Sequence, residues 1–375
     1  MFNSVNKWVI LVLLISFLFS LRTPQKSTQT EEQKIETHPV FSVFLQTQQG
    51  ASLGPNPGLE YDHYRDSCPD AEKIVRSMMS KIYCEQKDVS AALLRLFFHD
   101  CFIRGCDASL FLDDSNGNTN HSIERRAAPH STLKGFDKID LIKAELERAC
   151  PGVVSCADTL ALATRDGIIL QGGPYYPVFT GRRDSSESYF QEAMDEIPKP
   201  DGNLSRTLHL FSLRGFNERE TVSLLGTHSK FSHLSRAHNI GKISCQFIQD
   251  RLYNFTGTGQ PDPTIAADFL NELRLNCQAN HGSSSLNDSA ISSGSDFDAH
   301  YFRSLLRGRG LLFADQQLMA DEKTATHVKY YASGDGTIFR IDFARAMVKM
   351  SNLGVLSGSQ GQVRIKCSLP AEYSR

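Results

Sequence analysis

The sequence predicts a helix-rich, disulfide-stapled domain, and three observations carry that expectation. Apolar residues recur at helical spacing: in 88–101, DVSAALLRLFFHDC, the residues Val89, Ala92, Leu93, Leu96 and Phe97 share one face. From about residue 61 the chain reads as one long helix-rich unit with no second polar linker inside it. All nine cysteines lie in that unit, behind a signal-like N-terminus, which is the setting in which disulfides staple a secreted domain. The 375 residues are enough to bury a large core. With 40 Lys+Arg against 42 Asp+Glu, the formal charge of −2 argues against nucleic acid as a partner, which needs a basic face. A hydrophobic share of 40% with 22% charged residues excludes a disordered or coiled-coil chain.

Taken in order, residues 1–22 form the first element. Lys7 precedes an apolar run from Trp8 to Leu21, closed by Arg22. The run is short of the roughly 20 residues of a membrane span and suits the apolar stretch of a signal peptide. No small-x-small cleavage site follows, so an uncleaved signal anchor is the alternative to secretion. Residues 23–60, rich in Gln, Thr, Ser and Glu with Pro55 and Pro57, read as a disordered polar linker. The folded domain covers 61–370, and 371–375 form a tail. Its cysteines are Cys68, Cys84, Cys101, Cys106, Cys150, Cys156, Cys245, Cys277 and Cys367, so one must remain unpaired. Spacing alone does not choose among their pairings, and buried free thiols are the alternative. A zinc site is disfavoured by the absence of a CxxC pair. Sequons at Asn120, Asn203, Asn254 and Asn287 fit a secreted glycoprotein.

The helix over 88–101 has Asp88 as its expected N-cap. Arg95 and His99 stand at i and i+4, so both project from one face. A permanent cation one turn from a group that titrates near neutrality suits a reaction that removes a proton and stabilises a developing anion. An ordinary satisfied surface pair is the alternative. The following residues, HDCFIRGCDASLFLDD, gather Asp100, Gly105, Asp107 and Ser109 within ten positions. Hard oxygen ligands at this density suit calcium, although the loop is not an EF-hand.

The segment LLRLFFHDCFIRGCDASLFL resembles the distal haem segment of the secreted plant haem peroxidases, class III. The resemblance continues through YRDSCPDAEKIV with Tyr64, ACPGVVSCADTLALATRD, GGP…GRRDS, CQFIQDRLYNFTGTGQPDPT and MVKMSNLGVLSGSQGQVRIKC, in one order over 61–370. It implies an almost wholly helical haem peroxidase fold, a monomer with haem b between a distal and a proximal half. His99 then corresponds to the distal base, Arg95 to the distal arginine and Phe98 to the residue packing over the haem. Asp100, the carbonyls of Ile103 and Gly105, Asp107 and Ser109 correspond to ligands of a distal calcium, with Glu124 supporting them through water. The implied disulfides are Cys68–Cys150, Cys101–Cys106, Cys156–Cys367 and Cys245–Cys277. Cys84 is left over, either free or buried on the helix 70–84. Pro198 falls at the mouth of the donor channel, and Asp315 at the carboxylate that orients the proximal His.

The chain departs from the family at the proximal histidine. A capping box of Asn217 and Glu220 starts a helix that reaches Gly226-Thr227-His228 at normal spacing. The family's seven-residue spacing to the following cysteine belongs instead to His238, since 245 − 7 = 238. THSKFSHLSR (227–236) therefore reads as an insertion of ten, whose Phe-Ser-His-Leu-Ser core can be encoded almost wholly by pyrimidines, as the tail of a retained intron would be. His238 is the expected iron ligand and His228 the alternative; His233 is neither. His130 stands where the family has the Asn that accepts a hydrogen bond from the distal His. A second, proximal calcium is weakened: Asn239, Ser293 and Asp298 match ligands, but Ala290 replaces an aspartate, with Asp288 two residues away.

The expected function is a peroxidase that reduces hydrogen peroxide and oxidises small phenolic donors by one-electron steps, in peroxide removal and the response to oxidative stress. It is placed outside the cell, at the wall. The alternative is a degenerate, non-catalytic protein of the same fold with a binding or structural role, favoured by the insertion and by His130.

Overall fold

The computed structural model describes residues 58–113, 123–226, 241–277, 290–294 and 297–371. The signal segment, nearly all of the linker, the insertion, His228, His233, His238 and Asn239 lie outside the described residues, as do Asn120, Asn287 and Asp288. Among those described, no helix is long and apolar enough to cross a membrane.

The first four helices are α1 (Ala71–Glu85), α2 (Val89–Phe102), α3 (Phe136–Ala149) and α4 (Cys156–Leu170). Every residue of α2 is buried, Arg95 and His99 included. It is therefore a central helix and not the one-faced surface helix that its apolar spacing alone describes. Asp88 occupies its N-cap position but makes no side-chain capping bond. Helix α4 packs on both α2 and α1. Its N-terminus is capped by Ser155, whose Oγ accepts from the Asp158 amide at 3.0 Å. Asp184 receives the next amides, from Cys156 at 3.1 Å and Ala157 at 2.9 Å. A negative side chain at this end satisfies orphan donors and complements the helix dipole.

Seven further helices follow up to the C-terminal pair. They are α5 (Phe190–Glu196), α6 (Leu204–Ser212), α7 (Glu218–Leu225), α8 (Gln249–Tyr253), α9 (Ala267–Asn276), α10 (His300–Leu306) and α11 (Phe313–Gln316). The last two are α12 (Glu322–Ser333) and α13 (Thr337–Ser351), and α7 packs against both. The expected capping box opens α7: Glu220 N donates to Asn217 Oδ1 and Asn217 N to Glu220 Oε2, each at 2.9 Å.

The all-α expectation holds for the body of the protein, with one addition. Strands β1 (Gly241–Ser244) and β2 (Ala290–Gly294) form an antiparallel ribbon beside α9 and α10. Each strand is only four or five residues long and carries one isoleucine, too short a signal to register against the helical pattern around it.

All four implied disulfides form, which removes the free-thiol alternative for those eight cysteines. Cys156–Cys367 spans 211 residues and ties the C-terminal strap to the start of α4. Cys84, on α1, is free and exposed.

Candidate active site and calcium-binding loop

Arg95 and His99 lie one turn apart inside the protein, 4% and 0% exposed, which overturns the surface-pair alternative. Arg95 is held by the segment before α3. Its Nη2 donates to Thr132 Oγ1 at 3.0 Å and its Nη1 to the Thr132 carbonyl at 3.3 Å. Burial pushes the guanidinium down to about 9, which leaves it a cation at neutral pH. Phe98 is buried against Phe102 and Phe211, with centroids 4.6 and 5.9 Å away.

His130 meets His99 directly. Their ring centroids are 5.0 Å apart at an interplanar angle of 69°. The His130 Nδ1 lies 3.0 Å from the Glu124 carbonyl. A carbonyl only accepts, so Nδ1 carries the proton and Nε2 presents a lone pair. That Nε2 is buried with no hydrogen-bond partner among the described residues. Burial pushes His130 down to about 4, so it is neutral, and its 3.9 Å approach to Glu124 Oε1 is not an ion pair at neutral pH.

The loop after α2 brings the expected calcium residues together. Asp100, Ile103, Gly105, Asp107, Ser109 and Glu124 are all buried. Asp100 Oδ2 accepts from Ala108 N at 3.1 Å, and Asp107 Oδ1 from Ser109 N at 3.0 Å. Ser109 Oγ donates to Glu124 Oε2 at 3.0 Å. The Ile103 carbonyl accepts from Gly105 N at 2.7 Å, and the Gly105 carbonyl from Asp107 N at 2.9 Å. Each carbonyl keeps a second lone pair.

Arg104 and Ala108 adopt left-handed φ of 62° and 57°, and Gly105 a φ of 138° that side chains rarely take. A Cβ on Gly105 would stand 2.3 Å from the Gly354 carbonyl oxygen, because the loop lies directly on the turn after α13. Cys106 N donates to the Leu353 carbonyl there at 3.0 Å.

The electrostatics of this loop favour a cation. Burial, with the charge of Asp107 next, holds the Asp100 carboxyl well above the usual range. Burial, then the Asp100 charge, does the same to Glu124. Asp107 is pushed up to about 6 by burial. Asp100 Oδ1 and Glu124 Oε1 are buried without hydrogen-bond partners among the described residues. Three desolvated carboxylates with two orphaned oxygens are costly alone and fit a hard cation. Among the described residues no group of three or more His, Cys, Asp or Glu side chains forms a metal cluster by itself. The set relies equally on carbonyls and a hydroxyl.

The proximal side is reached from α7. Gly226 follows that helix, and a Cβ on it would stand 2.6 Å from Phe302 Cζ, so only glycine allows this approach. Asp315 is buried on α11. Its Oδ2 accepts from Leu312 N at 3.0 Å and its Oδ1 from Tyr301 Oη at 3.1 Å. Asp298 Oδ1 accepts from His300 N at 2.7 Å and faces His300 Nδ1 at 2.5 Å. Burial pushes the Asp298 carboxyl up, but the His300 contacts outweigh it and hold it below the usual range. Of the expected proximal calcium set, Asn239 lies outside the described residues and only the backbone of Ser293 is described, in β2. Pro198 is buried after α5, and two residues on the Pro200 carbonyl accepts from Ala314 N of α11 at 3.1 Å.

A family model described as Peroxidase matches residues 75–334. The chain belongs to the peroxidase family. It is 41% identical to peroxidase 48 of Arabidopsis thaliana over 389 aligned residues, covering 94% of this chain and 92% of that protein. Peroxidase 49 of the same plant is 40% identical, with 81% and 88% covered, and peroxidase 1 is 37% identical, with 88% and 97% covered. As a peroxidase it reduces hydrogen peroxide at the expense of a reducing substrate. The family requires haem and calcium in general. The buried carboxylates and carbonyls of the loop after α2 fit calcium, and the histidines expected to hold haem iron lie outside the described residues.

Two contributors to this peroxidase's site, and one buried pair away from it, were missed in the sequence. Thr132, which holds Arg95, and Tyr301, which donates to Asp315, carry no local signal that ties them to partners 37 and 14 residues away. Tyr331 donates to the buried Asp342 at 2.8 Å, and nothing in the helical pattern of α12 marks it. Two sequons are described: Asn203 is the N-cap of α6, its Oδ1 accepting from Arg206 N at 2.8 Å, and Asn254 is exposed.

Proposed function

We propose that this peroxidase is a secreted, monomeric enzyme of the cell wall that uses haem b to oxidise small phenolic donors, in peroxide removal and the response to oxidative stress. The observation that carries the reading is the buried Arg95–His99 pair with His130 behind it. Haem b supplies the redox centre at which peroxide is reduced. His99 Nε2 takes the proton of the bound peroxide and returns it to the departing oxygen, while Arg95 stabilises the charge developing there. The bare Nε2 of His130 lies on the ring beside His99 and would accept from His99 Nδ1 once the two rings turn towards each other, fixing the tautomer that leaves His99 Nε2 free to accept. Phe98 would pack over the haem and Pro198 would border the donor entrance.

His238 would hold the iron on the strength of its spacing to Cys245, with His228 as the alternative, and Asp315 would accept from that imidazole and make it a stronger donor. Asp100, Ile103, Gly105, Asp107 and Ser109, with Glu124 supporting them through water, would hold the distal calcium. Asn239, Ser293 and Asp298 are the set for a weaker second one.

The test is expression of the chain with haem and calcium beside a version lacking 227–236, read by the haem absorption spectrum, peroxide and a phenolic donor. Turnover by both shows that the insertion is tolerated. Turnover only by the shortened form shows that His238 is the ligand and that the full chain is the non-catalytic alternative. Loss of the axial-ligand spectrum in His238→Ala, but not in His228→Ala, assigns the iron directly.

A further inference from the structure

We infer that this peroxidase carries a second oxidation site on its surface at Tyr330, through which phenolic groups attached to polymers give up electrons. The inference rests on the haem reading above. Two buried phenols each donate to a buried carboxylate, Tyr301 to Asp315 at 3.1 Å and Tyr331 to Asp342 at 2.8 Å. The ring of Phe302 stands between them, its centroid 5.1 Å from Tyr301 and 4.9 Å from Tyr331. Tyr330 follows at 6.2 Å from Tyr331, and it is 47% exposed. An unbroken aromatic series therefore joins solvent to Asp315, the carboxylate to which the reading above gives the iron ligand's imidazole. The single Trp of the chain is Trp8, at the far N-terminus, so tyrosine is the most readily oxidised ring along this series.

A phenol loses an electron readily only when its proton has an acceptor. Asp315 and Asp342 provide one for each buried tyrosine. Asp342 is held in place by Arg219, whose Nε and Nη2 both lie 2.7 Å from its Oδ2. Packing alone explains why buried hydroxyls are bonded. It does not explain a series that ends on an exposed phenol.

The step balances as follows. One electron passes from Tyr330 to the oxidised centre and its phenolic proton passes to water, leaving a neutral phenoxyl radical on Tyr330. In the relay, each buried tyrosine lends its proton to its carboxylate and takes it back. The polymer-bound phenol then gives Tyr330 a hydrogen atom, one electron and one proton, and keeps the radical itself. Two such steps supply the two electrons that reduce one hydrogen peroxide, and the two protons released complete the two waters.

The test uses the full chain loaded with haem and compares free tyramine with tyramine coupled to dextran. Without donor, peroxide generates a tyrosyl signal in electron paramagnetic resonance, and a spin trap leaves its adduct on the Tyr330 peptide in mass spectrometry. In Tyr330→Phe the adduct disappears and oxidation of dextran-tyramine falls about tenfold or more, the equivalent of about 1.4 kcal/mol in the barrier, while free tyramine is oxidised as before. Equal rates on dextran-tyramine, or adducts only at other residues, overturn the inference. If the unaltered chain fails to oxidise free tyramine, the haem reading itself falls and this inference with it.

Discussion

His130 presents the edge of its imidazole to His99, ring centroids 5.0 Å apart, with its proton committed to the Glu124 carbonyl on the far side. The ring therefore stands between His99 of α2 and Glu124 and touches both. His130 thus keeps a bare acceptor, its Nε2, on the ring beside His99.

Removing that acceptor slows the reaction with peroxide. His130→Leu lowers the bimolecular rate of haem oxidation by roughly 10–100-fold, the range for an outer partner that orients a ligand or base. His130→Asn, which donates to Glu124 and accepts from His99, keeps the rate within a few-fold. Stopped-flow absorbance with peroxide decides between these outcomes, and an unaffected His130→Leu variant would show that His99 is oriented by something else.

The same histidine sets an acid limit. Its folded-state value is pushed down to about 4 by burial, below the unfolded value of about 6.5. The unfolded chain thus binds more protons between these values, so stability is full above about 6.5 and is lost as pH falls towards 4. The loss is on the order of 3 kcal/mol for a shift of this size. His130→Asn removes it. Denaturant titrations at pH 7 and pH 4.5 should show a smaller acid penalty in the variant than in the parent.

Calcium removal should destabilise the protein most at neutral pH. With the cation gone, Asp107 has a folded value of about 6, raised above its unfolded value of about 3.9. The stability this contributes is present below about 3.9 and lost as pH rises through 6. Chelation should therefore lower the melting temperature more at pH 7 than at pH 5, a comparison at fixed pH in which the acid penalty of His130 cancels. Calcium at a hundredfold excess over its dissociation constant restores about 2.7 kcal/mol at pH 7. Identical melting curves with and without chelator at pH 7 would sink the calcium reading of Asp100, Asp107 and Glu124.

Gly105→Ala should cost more than an ordinary surface change. The new Cβ meets the Gly354 backbone at 2.3–2.6 Å, and the φ of 138° is closed to alanine. Strain at such a position costs about 1–3 kcal/mol before the displacement of the facing turn is added. Thermal unfolding gives the stability, and a calcium titration shows whether the Ile103 and Gly105 carbonyls have moved from the loop's cation site.

Much of the site was legible because it is local. Arg95 and His99 are four residues apart, and Asp100 to Ser109 span one turn-rich loop, so spacing along the chain is spacing in the structure. The Asn217–Glu220 capping box was legible for the same reason. The ribbon of β1 and β2 was not, since its strands lie 49 residues apart at Gly241 and Ala290 and pair only after the chain between has folded back.

The sequence by itself determined the helical character, the order of the calcium loop, the likeness that names the family and, through that likeness, the four disulfide partners. Periodicity and short-range spacing encode these, because each involves groups within a few turns or a known order of motifs. Only the tertiary structure decided that α2 is buried on every side, that Thr132 holds Arg95, and that Tyr301 and Phe302 link Asp315 to Tyr331. Those relations arise where separate helices pack, and a buried polar side chain takes whichever partner the packing brings within hydrogen-bond reach.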